Sequence, residues 1–411
     1  MVRLLPFPDG KTFAFTIIDD TDGATLENVR PVYEHLFALG LRTTKSIWVM
    51  RPSTAPDRPC DAGDTLERSQ YAEYLGLLQR RGFEIALHNV SSRSNTRART
   101  AMGIAQFKNV FGAYPKIYVQ HEKNLENLYF DFAQNPSRLR SPFRTPLFRG
   151  IHALLRDGRG VMPSGHGCSG EDRSSEYFWG DLCKQTVKYV RSNVFFQDLN
   201  TLKCNPHIPY ESSDTPYVNY WFDSSNGQDA TAFNAILSDR NIARLRRDRG
   251  CSILYTHFGK GFVETRNGRA ELNAETARRL TAIAGRPDGW YVPAGELLDR
   301  LLVFRSVKAI PFEGGFAVAN ANTHPVCSIT VQVNPAAEYC DHSGARFRAD
   351  SNGVLLIPSL PPGGVTILTA PKSRVCARRW YEQTGYAWIS DLRTAADRLR
   401  ARLSHYAASR D

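Results

Sequence analysis

TFAFTIIDDTDG (12–23) decides how the rest of the chain is read. Residues 12–18 alternate no polar face; they are β-branched and aromatic, the composition of a strand buried on both sides. The run then closes abruptly on Asp19 and Asp20, two carboxylates that are costly at the end of an apolar strand unless a cation or hydrogen bonds meet them. The plain structural reading of the pair is helix capping, because Asp and Thr ahead of a helix are good N-caps. The functional reading is one carboxylate on a metal and one acting as a base.

Working outward, helical periodicity follows over LENVRPVYEHLFALG (26–40), with Leu26, Val29, Val32, Tyr33, Leu36 and Phe37 on one face and Gly40 as the C-terminal cap. TTKSIWVM (43–50), FEIALHNV (83–90) and YPKIYVQHE (114–122) read as further strands, separated by helices at 69–82 and about 97–111. Residues 133–180 contain Pro, Gly and Ser clusters and read as long loops. Alternation resumes with a helix at 180–192, a strand at 193–199, a helix at 229–246, a strand at 251–258, a helix at 271–285 and a last short strand and helix over 289–304. Strands alternating with helices at this spacing predict βαβ units and a parallel sheet. The expected fold is α/β, a distorted (β/α) barrel.

From about 306 the texture changes to short strands with Gly, Pro and Asn turns, which predicts a small antiparallel β-sandwich module; 374–411 returns to a helical stripe, Trp388 to Tyr406, opposed by arginines. The expected domains are a catalytic barrel over 1–305, an accessory module over 306–373 and a helical tail over 374–411.

Composition sets outer limits. The 411 residues are 42% hydrophobic and 23% charged, ordinary globular usage. The net charge of +11 fits anionic partners such as an acidic glycan, or merely an Arg-rich proteome. Its clusters, Arg240–Arg249 and Arg393–Arg402, sit in no nucleic-acid-binding pattern, so no nucleic-acid partner is expected. Eight Cys without a CxxC pair argue against a structural zinc knuckle; Cys327 and Cys340 are close enough in sequence to pair across strands, but free thiols are the default. MVRLLPFPDGKTF lacks the apolar stretch of a secretory leader and no apolar run of 18 residues occurs. A cytoplasmic chain without a transmembrane segment is the expectation, export requiring a leader removed upstream.

In a barrel, chemistry sits where strands end. Four predicted strands end on Asp19-Asp20, His88, His121 and His257. Neutral imidazoles with a carboxylate suit zinc or a similar divalent ion. Softer candidates for a sugar cleft are Trp179 and Asp181 in FWGD (178–181), where Asp181 doubles as a helix cap, the aromatic loops NPHIPY (205–210) with Tyr210 and VNYWFD (218–223), and Asn124 in HEKNLEN (121–127), for which solvent exposure at a helix start is the plain alternative. His166, in a Gly/Ser loop, reads as a surface histidine.

TIIDDTDG (16–23), GFEIALHNVSS (82–92), ILYTHFG (253–259) and GWYVPAGELLDRL (289–301) together resemble the motifs of the polysaccharide deacetylase (NodB-like) superfamily over about residues 10–303. That resemblance implies a distorted (β/α) barrel hydrolysing N- or O-acetyl groups on glycans with a divalent metal. It implies Asp19 as base, Asp20 and His88 as metal ligands and His257 as general acid. Two features depart from it: Ser92 stands where a second metal histidine is expected, four residues after His88, and VQHEKNLEN (119–127) replaces an Arg-Pro strand motif. Three readings stay open: His121 takes over as third ligand, waters complete a weakly held metal, or the site no longer binds one. The leading function is a carbohydrate-active, metal-dependent deacetylase. The alternatives are a glycoside-cleaving or other sugar-processing barrel using Asp19 and Asp20, and a glycan-binding protein with a degenerate site.

Overall fold

The computed structural model describes residues 2–55, 59–130, 168–196, 198–266, 268–341 and 343–371. A short strand, β1 (Arg3–Leu5), precedes β2 (Phe13–Asp19), whose seven residues are all buried. Then follow β3 (Thr44–Ile47), β4 (Glu84–His88), β5 (Ile117–Val119), β6 (Tyr189–Phe195), β7 (Tyr220–Asn226) and β8 (Cys251–Thr256). These strands pair in sequence order, their registers parallel throughout, and β8 pairs back onto β2. The result is a closed, seven-stranded (β/α) barrel.

Helices α1 (Leu26–Ala38), α2 (Ser69–Arg80) and α3 (Arg97–Phe111) return the chain after the first three barrel strands. The start of α1 is fixed by a capping box: the Thr25 hydroxyl accepts from the Asn28 amide and Asn28 Oδ1 accepts from the Thr25 amide at 2.8 Å. Leu26, Val29, Val32, Tyr33 and Leu36 form its buried face. Phe37, expected on that face, is partly exposed and lies under the guanidiniums of Arg42 and Arg81, each 4.5 Å from the ring centre. On α3, Gly103 meets the loop after β4 so closely that an added Cβ would stand 2.4 Å from Val90 Cγ1. Gly103→Ala should therefore cost about 1–3 kcal/mol of stability in a denaturant titration, although alanine is the better helix former.

The second half contains α4 (Gly180–Thr186), α5 (Thr201–Cys204), α6 (Ala230–Ile236), α7 (Asp239–Arg247), a hairpin of β9 (Val263–Arg266) with β10 (Arg269–Leu272), α8 (Ala274–Ala284), β11 (Gly289–Trp290) and α9 (Ala294–Phe304). Three departures from the sequence reading occur here. The helix expected over 180–192 stops at Thr186, because Val187, Tyr189 and Val190 are strand formers and become the start of β6. The aromatic run at 218–223, read as a loop, supplies most of β7, with Trp221 and Phe222 fully buried. The helix expected over 229–246 is two, divided where Ser238 caps α7 through the Asn241 amide.

By compactness the chain divides into residues 15–286 with 291–296, which carry most of the barrel, and residues 1–14, 287–290 and 297 onward. In the latter unit β11 runs parallel to Phe13 and Ala14 of β2. The strands β12 (Val307–Phe312), β13 (Gly315–Asn320), β14 (Val326–Gln332), β15 (Glu338–Cys340), β16 (Arg346–Arg348), β17 (Val354–Leu360) and β18 (Val365–Thr369) form two antiparallel sheets, ordered β1-β14-β17 and β12-β13-β18-β15-β16. Both sheets feed one apolar core that includes Phe316, Val318, Leu368, Ile329, Val331, Leu355 and Ile357. Residues 3–5, placed by the sequence reading with the barrel, pair with Thr330–Gln332. Cys327 and Cys340 are free. The helical tail expected at 374–411, and His166 with most of the loops expected over 133–180, lie outside the described residues. No helix among the described residues is long and apolar enough to cross a membrane.

Candidate metal centre

Strand geometry separates the adjacent carboxylates at the end of β2, because successive side chains point to opposite faces. Asp19 is fully buried against Lys45, 2.9 Å away, and accepts from the Phe258 amide at 2.7 Å and the Tyr33 hydroxyl at 3.0 Å. Burial wins there and raises its pKa, the contacts to Lys45, Phe258 and Tyr33 pulling the other way. Asp20 takes a two-pronged bond from Arg191 on β6, at 2.9 and 2.6 Å. Burial opposes its charge, but Arg191, with His88 and His257 nearby, outweighs that and lowers the pKa. Asp22, two residues on, is the carboxylate around which the histidines gather.

His88 Nε2 lies 3.1 Å from Asp22 Oδ1, His257 Nε2 3.3 Å from Asp22 Oδ2, and His121 Nε2 3.9 Å from Asp22 Oδ1. Each ring is fixed from behind. His88 Nδ1 faces the Val119 carbonyl at 3.2 Å, His257 Nδ1 the Gln228 carbonyl at 2.6 Å, and His121 Nδ1 the Asn124 Oδ1 at 3.0 Å. All three partners are acceptors, so Nδ1 carries the hydrogen in each ring and a neutral ring turns its Nε2 lone pair on Asp22. Lys260 Nζ reaches Asp22 Oδ2 at 3.2 Å, and Asp61 Oδ1 stands 3.8 Å from His121 Nε2. The Trp48 ring stacks on His88 and meets His121 edge-on.

The donor set fits a divalent metal. One ligand atom each from Asp22, His88 and His121 lie within 4.8 Å of one another, and all three residues are buried. His121 Nε2 is buried and makes no hydrogen bond among the described residues. At His88, burial outweighs Asp20 and Asp22 and lowers the pKa, which favours the neutral ring. An Nε2 lone pair facing a carboxylate oxygen at 3.1 Å is repulsive unless a proton or a metal ion stands between them. At His121 burial is outweighed by Asp61 and Asp22 and the pKa is raised, the same accumulation of negative charge seen from the other ring. For Asp22, burial is overcome by His257 and His88, which donate to it in their protonated forms and hold its carboxyl well below the usual range. Two imidazoles and a carboxylate are among the donors of catalytic zinc and related ions.

No protein-family model matches the sequence, and no curated protein matches it. Among solved structures the chain is similar to a Mycobacterium smegmatis protein assigned as a polysaccharide deacetylase, at 13% identity and a TM-score of 0.39, covering 73% of this chain and 93% of that one. It is similar to Puue allantoinase at 10% and 0.40, covering 72% and 92%. A Pseudomonas aeruginosa PAO1 protein assigned as a polysaccharide deacetylase matches at 10% and 0.39, covering 72% and 93%.

Of the residues singled out in the sequence, His88, His121 and His257 come together. The carboxylate joining them is Asp22, whereas Asp20 is taken up by Arg191 and Asp19 by Lys45. Ser92 is buried with its hydroxyl making no hydrogen bond among the described residues, and the second imidazole of the cluster comes from the chain after β5. The four cleft candidates are engaged within the fold. Trp179 is fully buried and donates to the Glu126 carbonyl at 2.6 Å; Tyr210 bonds Asp223 at 3.2 Å. Asp181 pairs with Arg97 and accepts from the Leu182 amide; Asn124 holds His121. The sequence reading missed Asp22, Asp61, Arg191 and Lys260. For Asp22 the signal was present in DDTDG, where the third acid lies past the strand, free of its alternation.

Proposed function

We propose that the chain is a metal-dependent hydrolase that removes acetyl groups from an N- or O-acetylated sugar. The observation that carries the hydrolytic reading is the convergence of three Nδ1-anchored imidazoles on Asp22. The sugar and the acetyl group rest on the motif resemblance at 16–23, 82–92 and 253–259. Asp22, His88 and His121 would hold the ion, which when bound lowers the pKa of water and polarises an acyl oxygen. Asp20, held as a carboxylate by Arg191, would accept a proton from an attacking water. His257 would return one to the leaving amine or alkoxide, its ring set by the Gln228 carbonyl and by Tyr255 at 3.3 Å. A glycosidase reading, in which Asp19 and Asp20 act as the acid–base pair, is disfavoured because Asp19 is fully buried against Lys45.

The test is calorimetric titration with zinc, cobalt and manganese, followed by acetate release from a panel of acetylated sugars. Asp20→Asn should bind the metal within a few-fold of the parent and lose roughly 10²- to 10⁴-fold in turnover, the scale of a lost general base. A parent protein that binds none of the three ions, or an Asp20→Asn variant with parental turnover, would overturn this assignment.

A further inference from the structure

Behind His121 lies a buried carboxylate that the proposed chemistry does not use. Glu126 is 1% exposed, and Oε1 accepts from the side-chain amides of Asn89 at 2.9 Å, Asn95 at 2.8 Å and Asn124 at 2.9 Å. Oε2 accepts from the Asn95 backbone amide at 3.0 Å. Among the described residues four N–H groups and no acceptor bond it, the surroundings suited to a carboxylate and not to an amide.

The consequence passes through Asn124. Its Nδ2 points at three acceptors, Glu126 Oε1, the Ser91 carbonyl at 3.1 Å and the Arg93 carbonyl at 3.0 Å. Flipping this amide would set its oxygen against all three, so Oδ1 is committed to His121 Nδ1. The backbone of His121 is held by the same group of residues: its amide donates to Asn89 Oδ1 at 2.6 Å, and its carbonyl accepts from Asn127 at 2.6 Å. Asn89 sits at a φ of 47°, a left-handed conformation that Asn tolerates better than most residues.

We propose that Glu126 and Asn124 are positioning residues: they lock His121 in the Nδ1–H tautomer and aim its Nε2 lone pair at Asp22. This answers the departure at Ser92, since a ligand taken from a loop lacks the rigidity of one on a helical turn and needs its own supports. Its value to metal binding rests on the metal-centre reading, but its test does not.

The experiment is a long-range ¹H–¹⁵N correlation spectrum of ¹⁵N-histidine-labelled, metal-free full-length protein in alkaline buffer, with His121 assigned from a His121→Gln spectrum. The parent should show His121 as the Nδ1–H tautomer. In Asn124→Ala, and in Glu126→Gln, whose amide must point an N–H at one of the existing donors, the Nε2–H form should appear at His121. His88 and His257 should keep their tautomers, which a general loosening of the fold would not allow. Zinc affinity should fall about 10- to 100-fold in both variants. A parent His121 in the Nε2–H form overturns the proposal whether or not the variants fold, as does an unchanged His121 in a folded Glu126→Gln protein. A parent with the expected tautomer that binds no divalent ion would leave the positioning intact and defeat the metal reading alone.

Discussion

Asp22→Ala should lose more than any other single substitution at the centre: divalent-metal affinity at least about 100-fold below the parent, and turnover with it. The bound is set by outer partners of a ligand, whose removal typically costs 10- to 100-fold; a ligand itself should exceed it. Asp22 is the carboxylate of the cluster, and it touches both His88 and His257, with Lys260 on the same oxygen as His257. Without it, two lone pairs remain to hold the ion, and Lys260 loses the partner that offsets its positive charge beside them. Asp19→Asn and Asp20→Asn should both keep the metal, as their side chains are engaged by Lys45 and Arg191. Calorimetry with zinc on the three variants decides the matter. If Asp20→Asn loses the metal while Asp22→Ala retains it, the ligand assignment implied by the family resemblance is right and the one drawn from geometry is wrong.

Much of the barrel was legible because its signals are local. A buried strand such as 13–19 must be apolar throughout, and a helix such as 26–38 must repeat its apolar residues at helical spacing, whatever the rest of the chain does. Strand ends then pointed to His88, His121 and His257 without further information. What failed was pairing over distance. Nothing near residue 20 announces that Arg191, 171 residues away, will fill its carboxylate. Arg191 was further concealed by a helical reading of 180–192, in which it is an ordinary basic residue at a helix C-terminus. The adjacent acids 19 and 20 were given the base and ligand roles, although the pleat sends them to Lys45 and Arg191; Asp22, beyond the strand, is free to turn toward the histidines. Trp179 and Tyr210 were read as sugar platforms because composition cannot tell a buried aromatic ring from an exposed one.

The other large effect is expected at the fully buried Asp19–Lys45 pair, behind the residues given chemistry. Lys45→Met should destabilise the protein by about 3–5 kcal/mol in a denaturant titration near neutral pH, the cost of removing one partner of a buried ion pair. Methionine fills the aliphatic volume, so the loss is one of charge and not of packing. Asp19 would then keep only the Phe258 amide and the Tyr33 hydroxyl as donors, in a setting where burial already raises its pKa above the ordinary 3.8. For an acid whose folded pKa is raised, the folded state binds more protons, and stability falls as pH rises through the window above 3.8. The deficit of Lys45→Met should accordingly shrink toward acid pH, where Asp19 is neutral. Asp19→Asn/Lys45→Met should recover most of the loss at neutral pH, because an amide oxygen still accepts from Phe258 and no buried charge is left unpaired. That double variant should also retain its metal and its turnover, which separates Asp19 from the residues at the centre. A Lys45→Met cost below about 1 kcal/mol, or a double variant no more stable than the single one, would show that the pair does not carry this weight in the fold.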